Sequence, residues 1–135
     1  MKSVTIKYSE VKRDVLRMSE YVGLKSGMYD RIRAIDNDDE QLRYWYHDGL
    51  SGVCVLLDRV LHGKVVDGDV TTLTLSHEND ISGSVDGLVR RMIVTHIIIR
   101  WLKLVAPQLV EPYAADYVQQ REELSRMVYF REMPK

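Results

Sequence analysis

Four histidines, His47, His62, His77 and His96, are the side chains best suited to metal ligation or proton transfer near neutral pH. No two of them stand three or four residues apart, so no helix can offer a neighbouring pair to one metal ion. His96 sits in the most apolar run of the chain, "MIVTHIIIRWLKLV" (92–105). There, an imidazole satisfied by hydrogen bonds in a core or a helix seam outweighs a ligand or general base. The sole cysteine, Cys54, lies in "VCVLL", so no intramolecular disulfide can form, and burial is expected to raise the thiol pKa and leave it inert. "DNDDE" places Asp36, Asp38 and Glu40 at alternate positions, as a calcium loop does. The position that needs glycine is Gln41, however, and the bidentate acid position is His47. With no glycine-rich phosphate loop and no G-x-S-x-G motif, the expectation is a protein that is not an enzyme, with no catalytic residue, no cofactor and no metal site.

These residues must be held by elements that the apolar spacing outlines. Val11, Val15, Met18 and Val22 form a helical stripe with Ser9 as its expected N-cap and Gly23 near its end, and "MYDRIRAI" fits a short helix presenting Met28, Ile32 and Ile35. A long helix is expected from near Asp38, with Leu42, Tyr46, Gly49, Val53, Leu57 and Val60 on one face, ending near His62 and Gly63. Gly49 and Gly52 fall inside it, each costing about 1 kcal/mol against alanine. Both are read as points where another helix backbone comes close. "DVTTLTLSH" alternates as a strand, and "SVTIKY" is the other strand-like piece, so the 70–77 region is expected to form a small antiparallel ribbon with the N-terminus.

Ser84 can cap a helix with two apolar stripes, Leu88, Met92, Thr95, Ile99 and Leu102 on one side and Val89, Ile93, Ile97 and Trp101 on another. A helix apolar over most of its circumference is central. It is not a membrane span, since His96, Arg100 and Lys103 interrupt a run that would need about 20 apolar residues. Pro107 ends it. Pro112 fits the first turn of a last helix carrying Tyr113, Tyr117, Leu124 and Met127 or Val128. The fold expected is mainly α: a four- to five-helix bundle with a small β-ribbon, as a single helical domain over 1–135.

The chain has 135 residues, enough for one ordinary core, and its 19 basic and 20 acidic side chains give a formal net charge of -1. Neither half is skewed, with 11 basic and 11 acidic residues up to position 67 and 8 and 9 after it. Nucleic-acid affinity needs clustered cations, so nucleic acid is not the expected partner, and neither is a membrane. "MKSVTIKYSE" has no uninterrupted apolar region and no small-residue cleavage site, which places the expected product in the cytoplasm.

Surface chemistry is carried by aromatics. "LRYWYHDG" lines up Tyr44, Trp45 and Tyr46, which point in different directions from one helix, so at least one should reach the surface and favour protein contact. The alternative is that Trp45 fills a groove beneath the preceding loop. The tail "MVYFREMPK" sets Tyr129 and Phe130 beside Arg131, either as a docking segment or as a frayed terminus.

Taken together, "SEVKRDVLRMSEYVG", "YDRIRAIDNDDEQLRYWYHDGLSGVCVLL", "TLTLSHE" and the C-terminal helices ending in "YFRE" resemble small helical proteins encoded in prophages of anaerobic gut bacteria. More loosely, they resemble bacteriophage head-tail connector, or head-completion, proteins. The similarity covers most of the chain as a pattern of elements, with an acidic start to a long second helix and an aromatic-basic end. The departures are the apolar 88–105 helix and the aromatic triplet. The resemblance implies a non-enzymatic structural protein in the host cytoplasm or the virion. Its partners would be copies of itself, in a ring or weak oligomer, and phage portal or tail proteins. No catalytic residue carries over. Two other readings stay open: a small-ligand binder or enzyme with a pocket near His96, Arg100 and Asp48, and a host regulatory adaptor using exposed aromatics.

Overall fold

The computed structural model describes residues 2–26, 39–76 and 84–128. In chain order these form β1 (Lys2–Lys7), α1 (Tyr8–Ser26), α2 (Asp39–Leu56), β2 (Leu61–Asp67), β3 (Val70–Leu75), α3 (Ser84–Val105), a 3-10 turn (Pro107–Leu109) and α4 (Val110–Val128). Among the described residues the protein is therefore mainly helical, with four helices and a small antiparallel sheet. The expected short helix bearing Met28, Ile32 and Ile35 lies outside them, as do Asp36 and Asp38.

Helix α3 occupies the centre, as its two apolar stripes require. Val85, Leu88, Val89, Met92, Ile93, Val94, Ile97, Ile98, Trp101 and Leu102 are all buried, and α1, α2, α4 and β1 each pack against it. The surrounding helices bury narrower faces: Val11 and Val15 from α1, Leu42, Tyr46, Leu50 and Val53 from α2, and Leu124 and Val128 from α4. Pro107 cannot donate a backbone hydrogen bond to continue α3, which stops at Val105, and Pro112 falls in the first turn of α4.

The sheet has strand order β1-β3-β2, all antiparallel. The expected pairing of the N-terminus with the 70–77 region is present, with Val4 opposite Leu73 and Ile6 opposite Thr71. Alternation works as a two-residue period demands: Val4, Ile6, Thr71, Leu73 and Leu75 turn inward while Ser3, Thr5 and Lys7 face out. On the outer edge of β1 the Thr5 backbone N–H donates to Asp86 Oδ2 at 3.3 Å, which ties that edge to the first turn of α3.

The third strand corrects one expectation. The long helix ends at Leu56, not near His62 and Gly63, and residues 61–67 form β2. Val60 keeps its buried place in register with the helical face but sits in a turn, with Val60 N–H donating to the Leu57 carbonyl at 2.9 Å and Leu61 N–H to the same oxygen at 2.8 Å. Ser76 then donates to the Val60 carbonyl through its backbone N–H, at 2.8 Å, and through its hydroxyl, at 3.2 Å. Those bonds fasten the start of β2 to the end of β3. At the other end a two-residue loop, Gly68 and Asp69, closes the hairpin, and Gly68 takes φ 60, a left-handed value that glycine adopts at no steric cost.

A second correction concerns the start of α1, where Ser9 is inside the helix instead of capping it. The cap is Asp69 from the hairpin loop. Its carbonyl accepts from the Tyr8 N–H at 2.9 Å, its Oδ1 from the Ser9 N–H at 2.9 Å and its Oδ2 from the Ser9 hydroxyl at 2.7 Å. A negative carboxylate also suits the positive end of the helix dipole.

Candidate functional site

The aromatic triplet is divided by the rotation of about 100° per residue along α2. Trp45 and Tyr46 are buried, at 5% and 3% exposure, whereas Tyr44 is 63% exposed. Of the three, Tyr44 alone presents a ring that a partner could cover. Tyr46 instead packs edge-on against Tyr8, centroids 5.0 Å apart, and Arg43 stacks over that same Tyr8 ring at 4.2 Å. Burial pushes the Tyr46 phenol above its ordinary pKa, the neighbouring Thr71 side chain opposes the rise, and the charge of Asp69 adds to it. Tyr129, Phe130 and Arg131 lie outside the described residues.

Tyr44 does not stand alone. Asp48, Ser51 and Val55 follow it at steps of four, three and four, the spacing of one helix face, and Val55 is 76% exposed. The face thus begins and ends in large apolar side chains with a carboxylate and a hydroxyl between them. Further exposed apolar side chains are Val65 and Val66 on β2, Leu104 on α3 and Val118 on α4.

Asp48 connects this face to His96. Its Oδ2 lies 2.8 Å from His96 Nε2, joining α2 to α3, and the Tyr117 ring of α4 stands 6.2 Å from the imidazole. Gly49 makes room for the ring, since a Cβ there would come within 3.1 Å of His96 Cδ2. The close approach expected at Gly49 is therefore to a side chain and not to a helix backbone. Gly52 is exposed, and a Cβ there would meet only the Tyr117 hydroxyl at 3.6 Å, so it marks no crossing. The Tyr117 phenol is pushed up by burial, with Arg121 opposing and Asp48 reinforcing the shift.

A histidine oriented by a carboxylate can act as a base if a substrate site adjoins it. A cleft of about 460 Å³ lies elsewhere, between α1, α3 and α4, and neither His96, Arg100 nor Asp48 is among its described lining residues. Among the described residues no three His, Cys, Asp or Glu side chains are grouped to hold a metal ion. Cys54 is half-buried, its thiol pushed up by burial with Lys64 working the other way. No described helix is long and apolar enough to cross a membrane.

No family model, no curated protein and no solved structure matches this chain.

Proposed function

We propose that the protein is a non-enzymatic assembly component that works through protein-protein contacts, as a head-tail connector or tail-completion protein of a phage. The observation that carries the contact is the outward face of α2, where Tyr44 and Val55 hold 63% and 76% of their surface in water. Leaving a tyrosine and a valine exposed on one helix face forgoes the stabilisation that burial of each would bring, roughly 1.5 to 3 kcal/mol for a side chain of valine size. A partner that covers the face recovers it, with Tyr44 as the aromatic anchor and Asp48 and Ser51 as polar contacts between the two. The phage assignment rests on the resemblance of the acidic start "DNDDE" before a long second helix, and of the aromatic-basic end "YFRE", to connector proteins. The expected partners are copies of this chain and a portal or tail protein. A ring of head-to-tail contacts can close on the symmetry of a portal, even where the isolated chain is a monomer or a weak dimer.

The test is co-expression with the portal protein encoded at the same locus, followed by electron microscopy of particles. Wild type should join the portal or the completed head. The double variant Tyr44→Ser, Val55→Asp, with an unchanged circular dichroism spectrum, should not. Wild-type protein absent from every particle would refute the reading, and so would a double variant incorporated as well as wild type.

A further inference from the structure

We infer that the cleft between α1, α3 and α4 is a binding site for a small amphipathic anion, an aromatic or branched aliphatic body carrying one carboxylate or phosphate group. It lies apart from the α2 face and does not depend on the assembly reading. Helices α1 and α4 both pack on α3, and between them Met18, Val94 and Tyr113 give the cleft an apolar lining of about 460 Å³. That volume is within the range of small-molecule sites, which are mostly apolar with a few fixed polar groups.

The polar groups determine the sign of the ligand. Asp14 is already matched, its Oδ2 lying 3.3 Å from Arg90 Nε and its Oδ1 3.7 Å from Arg13 Nε. Arg17 and Arg91 also line the cleft, and among the described residues neither forms an ion pair or a hydrogen bond. Among the described lining residues, Asp116 is then the one carboxylate not paired with Arg13 or Arg90, against these two cations. A guanidinium offers a planar fork of donors that suits carboxylate and phosphate oxygens. Gln120 adds an amide whose Oε1 is buried without a partner among the described residues, an acceptor that a hydroxyl or N–H on the ligand could satisfy after a small side-chain rotation. Apolar body against Met18, Val94 and Tyr113, and anion against Arg17 and Arg91, is the arrangement the lining favours.

The test is titration of the isotope-labelled full chain with 3-phenylpropionate, phenyl phosphate and the neutral 3-phenylpropanol, followed by amide chemical shifts. Both anions should give saturable shifts confined to residues 14–18, 91–95 and 113–120, and should bind about tenfold more tightly than the alcohol. The preference between carboxylate and phosphate is read from the same titrations. Arg17→Gln and Arg91→Gln change exposed side chains and keep the fold, so each should remove most of the advantage of the anions while leaving the alcohol unchanged. Equal binding of anions and alcohol, loss of affinity for all three in the arginine variants, shifts centred outside the cleft, or no saturation by any probe would each overturn the inference.

Discussion

The two oxygens of the Asp69 carboxylate accept from the backbone N–H and the hydroxyl of Ser9, at 2.9 and 2.7 Å across a sequence separation of 60 residues. A hairpin loop thereby caps the first helix of the chain, coupling the sheet to α1 at the point where β1 hands over to it. Asp69→Ala should destabilise the protein by about 0.5 to 2 kcal/mol, the range for loss of a helix cap, as measured by urea denaturation. Ser9→Ala should cost less, because the backbone bond to Oδ1 survives. Equal costs would show that the hydroxyl bond, and not the cap, carries the coupling.

The two glycines of α2 should respond in opposite ways. Gly52→Ala gains helix propensity with only ordinary contact to Tyr117 and should stabilise by up to about 1 kcal/mol. Gly49→Ala meets His96 at 3.1 Å while Asp48 holds the imidazole, so the propensity gain should be cancelled or reversed. In a His96→Ala background the gain should reappear. Thermal melts of the four combinations measure the coupling, and additivity within about 0.3 kcal/mol would mean that His96 does not limit the site.

Alkaline pH offers a third check. Burial raises the pKa of both Tyr46 and Tyr117, so the folded chain keeps these protons at a pH where the unfolded chain has begun to lose them. Stability from this source is complete below the ordinary tyrosine value of about 10 and is lost as pH rises through the raised values. The urea midpoint should therefore fall between pH 9 and pH 11, and fall less steeply in Tyr46→Phe, Tyr117→Phe. An identical slope in the double variant would assign the decline to other groups.

Most of the helical frame was legible because a helix that buries one face writes that face into its own spacing. Leu42, Tyr46, Gly49 and Val53 announce α2 this way, and the double stripe of α3 announces its central place. Strand β2 was hidden by the same rule, since Leu57 and Val60 extend the helical register into a turn. Gly63 reads locally as a helix stop, whereas Gly68-Asp69 is the two-residue hairpin signature that places a strand on each side of it. The Asp69 cap and the Asp48 to His96 contact join residues far apart in sequence, which no local pattern encodes. The aromatic triplet announced that at least one ring would be exposed but not which, because that depends on where α3 and α1 lie around α2. The cleft is likewise a product of three helices, and Arg17, Arg91 and Asp116 acquire a common meaning only once α1 and α4 are seated on α3.

Photo-cross-linking within purified phage particles would probe the proposed assembly interface on the outward face of α2. A photoreactive amino acid would be placed at position 44, at 55, or at the exposed α4 position 122 as a control. Adducts to a portal protein, a tail protein or a second copy of this chain are expected from positions 44 and 55, and few from position 122. Particles that contain the protein but yield no adducts from 44 and 55, or equal yields from all three positions, would contradict that interface.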